Sequence, residues 1–277
     1  MNETAPAVPA DSAGEKPARK KEEGSFVAFL VKLFIAVVLF RTLLFTSFSI
    51  PSESMMPRLL VGDYLFASKW SYGYSGASLP YDHKFGDGRL FGRLPERGDV
   101  IIFKHPIDRT DYVKRVIGLP GDTVQMVNGV LHLNGEPVSK VRLADAVFPI
   151  TADGHCREER FVEHEEDGSF ACRYPQFRET LPSGVTYRVL DLGLEPADTT
   201  PAVIVPEGHL FMMGDNRDNS LDSRFPAIAG QGVGFVPIEN LVGRASFMFF
   251  STDGSAEWIK PWTWFTAARW DRIGHAI

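Results

Sequence analysis

Between Phe26 and Phe48 the chain is almost wholly apolar, broken only by Lys32 and Arg41. A helix of about 23 residues at ~1.5 Å per residue reaches roughly 34 Å, enough to cross the hydrocarbon core of a bilayer. The two cations lie towards opposite ends, where long aliphatic stems carry the charge to the interfaces. One transmembrane helix is therefore expected over residues 25–48. Residues 1–24 are rich in Pro, Ala, Ser, Glu and Lys without apolar periodicity, the composition of a disordered tail. Lys16, Arg19, Lys20 and Lys21 crowd the leading side of the span, whereas Arg58 is the nearest basic residue beyond it. That bias puts the tail in the cytoplasm and the body outside. The alternative, a secretory signal cleaved at Ser47-Phe48-Ser49, also exports the body.

The exported body reads as mostly β. Asp99 to Phe103, Tyr112 to Leu119, Thr123 to Val127 and Val130 to Leu133 are short runs rich in β-branched residues, punctuated by the hairpin signals Asn128-Gly129 and Asn134-Gly135. Leu65 to Phe91 is rich in Gly and aromatic residues and reads as loop. Residues 136–203 differ in kind, with clustered charges and weak strand signals, and read as a cap inserted between core segments 49–135 and 204–250. Residues 251–277 hold Trp258, Trp262, Trp264, Phe265 and Trp270 beside Lys260, Arg269 and Arg272. They are either core aromatics or a patch at a lipid interface, where Trp and cations are favoured.

Composition narrows the function classes. A formal charge of -6, from 29 Lys plus Arg against 35 Asp plus Glu, argues against nucleic acid as a partner, which needs a basic face. Cys156 and Cys172 cannot make a four-thiolate zinc site alone; outside the cytoplasm they pair with each other or stay unpaired. Seven histidines stand at no metal spacing, so no metal or other cofactor is expected. H-E-x-x-H, P-loop, S-x-x-K and G-x-S-x-G patterns are missing; Gly73-Tyr74-Ser75-Gly76-Ala77 lacks its last glycine.

Three segments are dense in polar groups. Ile50-Pro51-Ser52-Glu53-Ser54-Met55-Met56-Pro57 directly follows the apolar run. Serines two apart in an extended segment share a side, so one can attack a carbonyl while the other donates to the oxyanion. An ordinary turn before Pro57 explains the same residues. Lys114 interrupts a β-branched strand; if buried without an anion its amine becomes neutral and able to take a serine proton, and if exposed it is only a solvated cation. Gly214 to Arg224 packs Asp215, Asp218 and Asp222 with Arg217 and Arg224, a density suited to an interlocked, ion-paired turn.

In these segments the chain closely resembles the bacterial type I signal peptidases, membrane-bound Ser-Lys proteases. The likeness runs from Ile50 to Leu60 and Gly62-Asp63, through Arg97 to Val100, Asp111 to Asp122 and Gly214 to Arg224, to Gly234 to Pro237 and Leu241 to Ala245. It implies an antiparallel β catalytic core of the signal-peptidase type with a β-rich cap, after one transmembrane helix. It implies Ser54 as nucleophile and Lys114 as general base, with the Ser54 N–H and the Ser52 hydroxyl as oxyanion hole. Ser220 would orient the Lys114 amine, and Asp222 would brace the site through Arg224 and Ser220. Ile50, Pro51, Leu59, Tyr112 and Val113 would line pockets for small side chains, as in Ala-x-Ala. The implied partners are secretory preproteins and membrane lipid. The implied place is the bacterial plasma (inner) membrane, single-pass, N-terminus cytoplasmic, body periplasmic. Arg58 stands where the family often has threonine, and Phe225 to Gly232 lengthens the link to Gly234.

Overall fold

The computed structural model describes residues 20–79, 88–150, 155–257 and 259–277, the side chains of residues 20–25 excepted. The tail, apart from the helical backbone from Lys20, and Trp258 lie outside the described residues. Met1–Phe40 and Arg41–Ile277 are separate compact units. The first carries helix Lys20–Leu39, followed in sequence by the π turn Phe40–Leu44. Phe26–Leu44 is long and apolar enough to cross a membrane, and none of it is buried.

The helical segment stops short of Phe48. Phe45–Ser49 is a strand, paired antiparallel with Asp63–Ser68 from Phe45 opposite Ser68 to Ser49 opposite Tyr64. Its Phe and Thr side chains suit a pleated surface, and the partner strand satisfies the backbone groups that a helix would have satisfied internally. That partner also corrects the loop reading of Leu65 to Phe91, which begins inside strand Asp63–Ser68.

The second unit is mostly antiparallel β. Its main sheet has seven strands in the order Phe45–Ser49, Asp63–Ser68, Leu241–Ser251, Val100–Lys104, Asp111–Gly118, His209–Met213, Val236–Pro237. A strand from near the chain's end thus lies between two from its first half. Thr123–Val127 and Val130–Leu133 form the expected hairpin around Asn128-Gly129, where both residues have positive φ (49° and 76°). That left-handed pair matches the twist of the flanking strands, which is why Asn-Gly is favoured there.

Residues 139–190 contain two three-stranded sheets. One orders Thr186–Leu190, Gln176–Thr180, Ser139–Arg142; the other Val162–His164, Phe170–Tyr174, Ala146–Pro149. A disulfide joins Cys156 to Cys172, with Cα atoms 5.5 Å apart. Towards the C-terminus, Trp262, Phe265 and Trp270 are exposed.

Candidate active site

Ser54 sits at the tip of the hairpin that joins Phe45–Ser49 to Asp63–Ser68. The hairpin is closed below it by Ile50 N donating to Asp63 O (2.8 Å) and Gly62 N to Ile50 O (3.0 Å). Asp63, fully buried, accepts from Leu60 N (2.7 Å), Ser251 Oγ (2.7 Å) and Arg272 Nη2 (2.6 Å), which fixes the return of the chain. The serines are not in an extended segment. Glu53–Met55 is one 3-10 turn, with Ser52 extended before it, because Met55 and Leu59 turn inward to full burial in the apolar core. Each such side chain contributes about 1.5–3 kcal/mol by leaving water. The turn still puts Ser52 Oγ within 3.4 Å of Ser54 Oγ.

Lys114 reaches the same point from strand Asp111–Gly118, opposite Ile101 of Val100–Lys104. Its Nζ lies 2.6 Å from Ser54 Oγ and 5.8 Å from the centre of the Tyr112 ring. Lys114 is 3 % exposed. Burial pulls its amine from the ordinary lysine value down to about 8; Asp222 and Asp215 oppose this and Arg224 assists it. Water is thus withheld from the ammonium, and among the described residues no carboxylate is in contact to replace it, the condition under which a lysine amine becomes available as a base.

The loop Gly214 to Arg224 clamps these two parts together. Asn216 N donates to Ser54 O (3.1 Å), Asn216 Nδ2 to Glu53 O (3.2 Å) and Asn219 Nδ2 to Glu53 Oε2 (2.8 Å). Gly214 lies so close that a Cβ would fall 2.2 Å from Ser220 Oγ and 2.5 Å from Ser54 O. The expected ion-paired turn is present, although only one of its pairs is internal. Arg224 holds Asp222 through both carboxylate oxygens, at 2.9 and 3.0 Å, and Gly214 N donates to Asp222 as well (3.0 Å). Burial alone would raise the Asp222 carboxyl, but Arg224 and the Gly214 N–H hold it below the usual range. Asp215 is gripped by Arg115 of the lysine strand (2.7 and 2.5 Å), and Arg217 donates to Glu179 of strand Gln176–Thr180 (2.6 Å). Sequence reasoning missed Asn216, Asn219, Arg115 and Glu179, because each acts on a partner remote in the chain.

A cleft of about 700 Å³ opens over Ser54, lined by Ile50, Pro51, Ser52, Tyr112, Val113, Lys114 and Ser220 among others. Leu59, expected in the pocket, is instead fully buried beneath the turn. Asp222 and Arg224 lie behind the cleft rather than in its wall. Ser220 lines the cleft together with Lys114, yet its buried Oγ has no hydrogen-bond partner among the described residues, so neither the expected bond to Lys114 nor one to Asp222 is formed. Asp191, Asp198 and Asp218 bring potential ligand atoms within 4.8 Å of one another. The Lys140 ammonium already contacts Asp191, and Asp218 is pushed up to about 6, chiefly by burial, with Asp191 and Asp198 adding to it against the Leu192 N–H.

The family model described as signal peptidase, peptidase S26, matches residues 24–250. A signal peptidase I of Rickettsia prowazekii (strain Madrid E) is 38 % identical over 253 residues, covering 87 % of this chain and 84 % of the relative. That of Rickettsia bellii (strain OSU 85-389) is 40 % identical over 236 residues, covering 81 % and 72 %. A crystal structure of a signal peptidase I from Enterococcus faecalis V583 aligns with 56 % of this chain and 98 % of its own at 24 % identity and a TM-score of 0.28, too low to bear on the fold.

Proposed function

Because the chain belongs to the peptidase S26 family of signal peptidases and is a serine endopeptidase, we propose that it removes signal peptides from secretory preproteins by a Ser54–Lys114 mechanism. The observation that carries this reading is the 2.6 Å contact between Ser54 Oγ and a Lys114 amine lowered to about 8. Neutral Lys114 takes the Ser54 proton as Oγ attacks the scissile carbonyl. The carbonyl oxygen gains negative charge, received by the Ser54 N–H and the Ser52 hydroxyl. Lys114 then protonates the departing amine, and an acyl-enzyme remains on Ser54. Water, deprotonated by the same amine, releases the signal peptide and restores the serine.

Ser220 orients the amine once substrate fills the cleft, its unpartnered hydroxyl being free to turn towards Nζ. Asp222 and Arg224 fix the loop that carries it. Ile50, Pro51, Tyr112 and Val113 give the cleft shallow apolar walls, which suit small side chains at the first and third positions before the cut, as in Ala-x-Ala. No step calls for a metal. Ser54 follows Leu44, the end of the apolar segment, by ten positions. That segment anchors the chain once in the bacterial plasma membrane, with the basic tail cytoplasmic and the body, including residues 136–203 as a cap, on the periplasmic side. The exposed Trp262, Phe265 and Trp270 rings meet the lipid interface.

The test is cleavage of a preprotein with an Ala-x-Ala junction by the full chain in detergent. Ser54→Ala and Lys114→Ala should each abolish it with unchanged circular dichroism. Full activity in either variant removes the mechanism.

A further inference from the structure

A second groove, of about 910 Å³, shares no lining residue with the cleft over Ser54. Its walls carry an unusual excess of guanidinium groups, among them Arg58, Arg97, Arg178, Arg188, Arg244 and Arg272. With Arg115 the groove has seven, and four are already neutralised: Arg97 by Asp122 (2.7 Å), Arg115 by Asp215 (2.5 Å), Arg244 by Asp99 (3.1 Å) and Arg272 by Asp63 (2.6 Å). Arg58, Arg178 and Arg188 have no carboxylate at ion-pair distance among the described residues. The acidic residues lining the groove are Asp99, which is already held, and Glu96.

The placement of Arg178 and Arg188 is the informative part. They are register partners on the antiparallel strands Gln176–Thr180 and Thr186–Leu190, so their side chains leave the ribbon on one face, directly opposite one another, and both are exposed. Like charges in that position destabilise a sheet unless something neutralises them. Alternation sends their chain neighbours Glu179 and Tyr187 to the other face. There Glu179 pairs with Arg217 and Tyr187 lies under the Arg115 guanidinium, 4.3 Å from its centre. The ribbon is therefore fixed to the catalytic loop by one face and presents two uncompensated cations on the other.

Arg58 enters the groove from a third element, four residues after Ser54. Among the described residues its guanidinium makes one hydrogen bond, from Nη2 to the carbonyl of Ala276 (2.6 Å), while its own carbonyl accepts from Arg272 Nη2 (3.0 Å). Although it reaches solvent, desolvation by the groove walls and then the fields of Arg115, Arg272 and Arg188 lower its guanidinium, against Asp215. Arg58 stands at the serine turn where the family often has threonine, and the groove gives that departure a location.

We propose that this groove binds a phosphate-bearing anion between Arg58, Arg178 and Arg188, tying the serine turn to the strand pair of the cap. Guanidinium forks match the tetrahedral oxygens of a phosphate ester two at a time, and three of them from three segments surround it. A groove of this volume is within the range of small-molecule sites and admits a free phosphate or a phospholipid headgroup. Binding here is independent of the peptidase reading, since no residue of the site takes part in the proposed chemistry.

The experiment uses the full chain in a neutral maltoside detergent, with thermal unfolding and titration calorimetry as readouts. Inorganic phosphate and a short-chain phosphatidylglycerol are added separately, each against sodium chloride at equal ionic strength. Wild type should show a saturable rise in Tm, as expected for a ligand that binds only the folded state, and Arg178→Glu with Arg188→Glu should weaken binding by about tenfold or more. Should the charge reversal disturb the cap, Arg178→Gln with Arg188→Gln must show the same loss while its unliganded Tm reports the fold. Binding of both probes supports a general phosphate site, binding of the lipid alone a headgroup site, and binding of phosphate alone a soluble anion. Failure of both probes to exceed sodium chloride, or undiminished binding by the glutamine variant, overturns the proposal.

Discussion

Raising the pH from about 6 to about 10 should switch the enzyme on through Lys114. Burial is the largest influence pulling its amine down to about 8. At pH ~7 about one amine in ten is then neutral, against roughly one in 2,500 for a lysine at the ordinary ~10.4. On a signal-peptide substrate, kcat/KM should climb about tenfold per pH unit on the acid limb and bend to a plateau near 8. Stability must move with it. Between about 8 and 10.5 the unfolded chain holds more protons than the folded one, so stability rises with pH across that window. Below about 8 the fold carries the full penalty of a charged, buried amine, about 3 kcal/mol. At 3 % exposure there is little solvent screening to discount. Lys114→Met keeps the stem and removes the charge. It should abolish cleavage yet raise stability by ~1–3 kcal/mol at pH ~7 in urea unfolding, the gain fading towards the alkaline end of the window. A kcat/KM profile that is flat over this range, or that bends only near 10.4, would refute the base assignment.

Three further perturbations probe the scaffold. Gly214→Ala puts a methyl 2.5 Å from Ser54 O and should lower kcat by about 100-fold through displacement of the serine turn; an unchanged kcat in steady-state assays counts against the clamp. Glu179→Ala leaves Arg217, 2 % exposed, without its partner, and should lose about 3–5 kcal/mol in urea unfolding, where a loss under ~1 kcal/mol would show the pair to be dispensable. Cys156→Ser with Cys172→Ser opens a bridge spanning 16 positions and should lose about 3 kcal/mol, read as earlier proteolysis and a lower Tm.

Much of this molecule is legible where the cause of structure is local. Asn128-Gly129 needs no distant partner to turn the chain, and the β-branched runs around it predict their own strands. Ser54 and Lys114 are legible as residue types, but their meeting depends on the register that sets Ile101 opposite Lys114. The end of the apolar helix is hidden in the sequence because Phe45-Thr46-Ser47-Phe48 carries no charge, Gly or Pro to mark a stop; what makes it a strand is Asp63–Ser68, unseen from either segment alone. Likeness to other chains puts Leu59 in the pocket, whereas the turn that follows Glu53–Met55, closed by Leu59 N donating to Met55 O (2.9 Å), carries it into the core. Glu179 carries no sign in its own neighbourhood that it neutralises Arg217, 38 positions on.

Strand Leu241–Ser251 lies inside the sheet, between Asp63–Ser68 and Val100–Lys104, and this orders events in time. A chain still being synthesised has its serine and its lysine long before it has the strand that links their halves of the sheet or the loop that clamps the serine turn. Contacts so distant in sequence form late and slowly. Under the Ser54–Lys114 mechanism proposed above, an emerging chain would therefore gain activity only once strand Leu241–Ser251 has been delivered and paired.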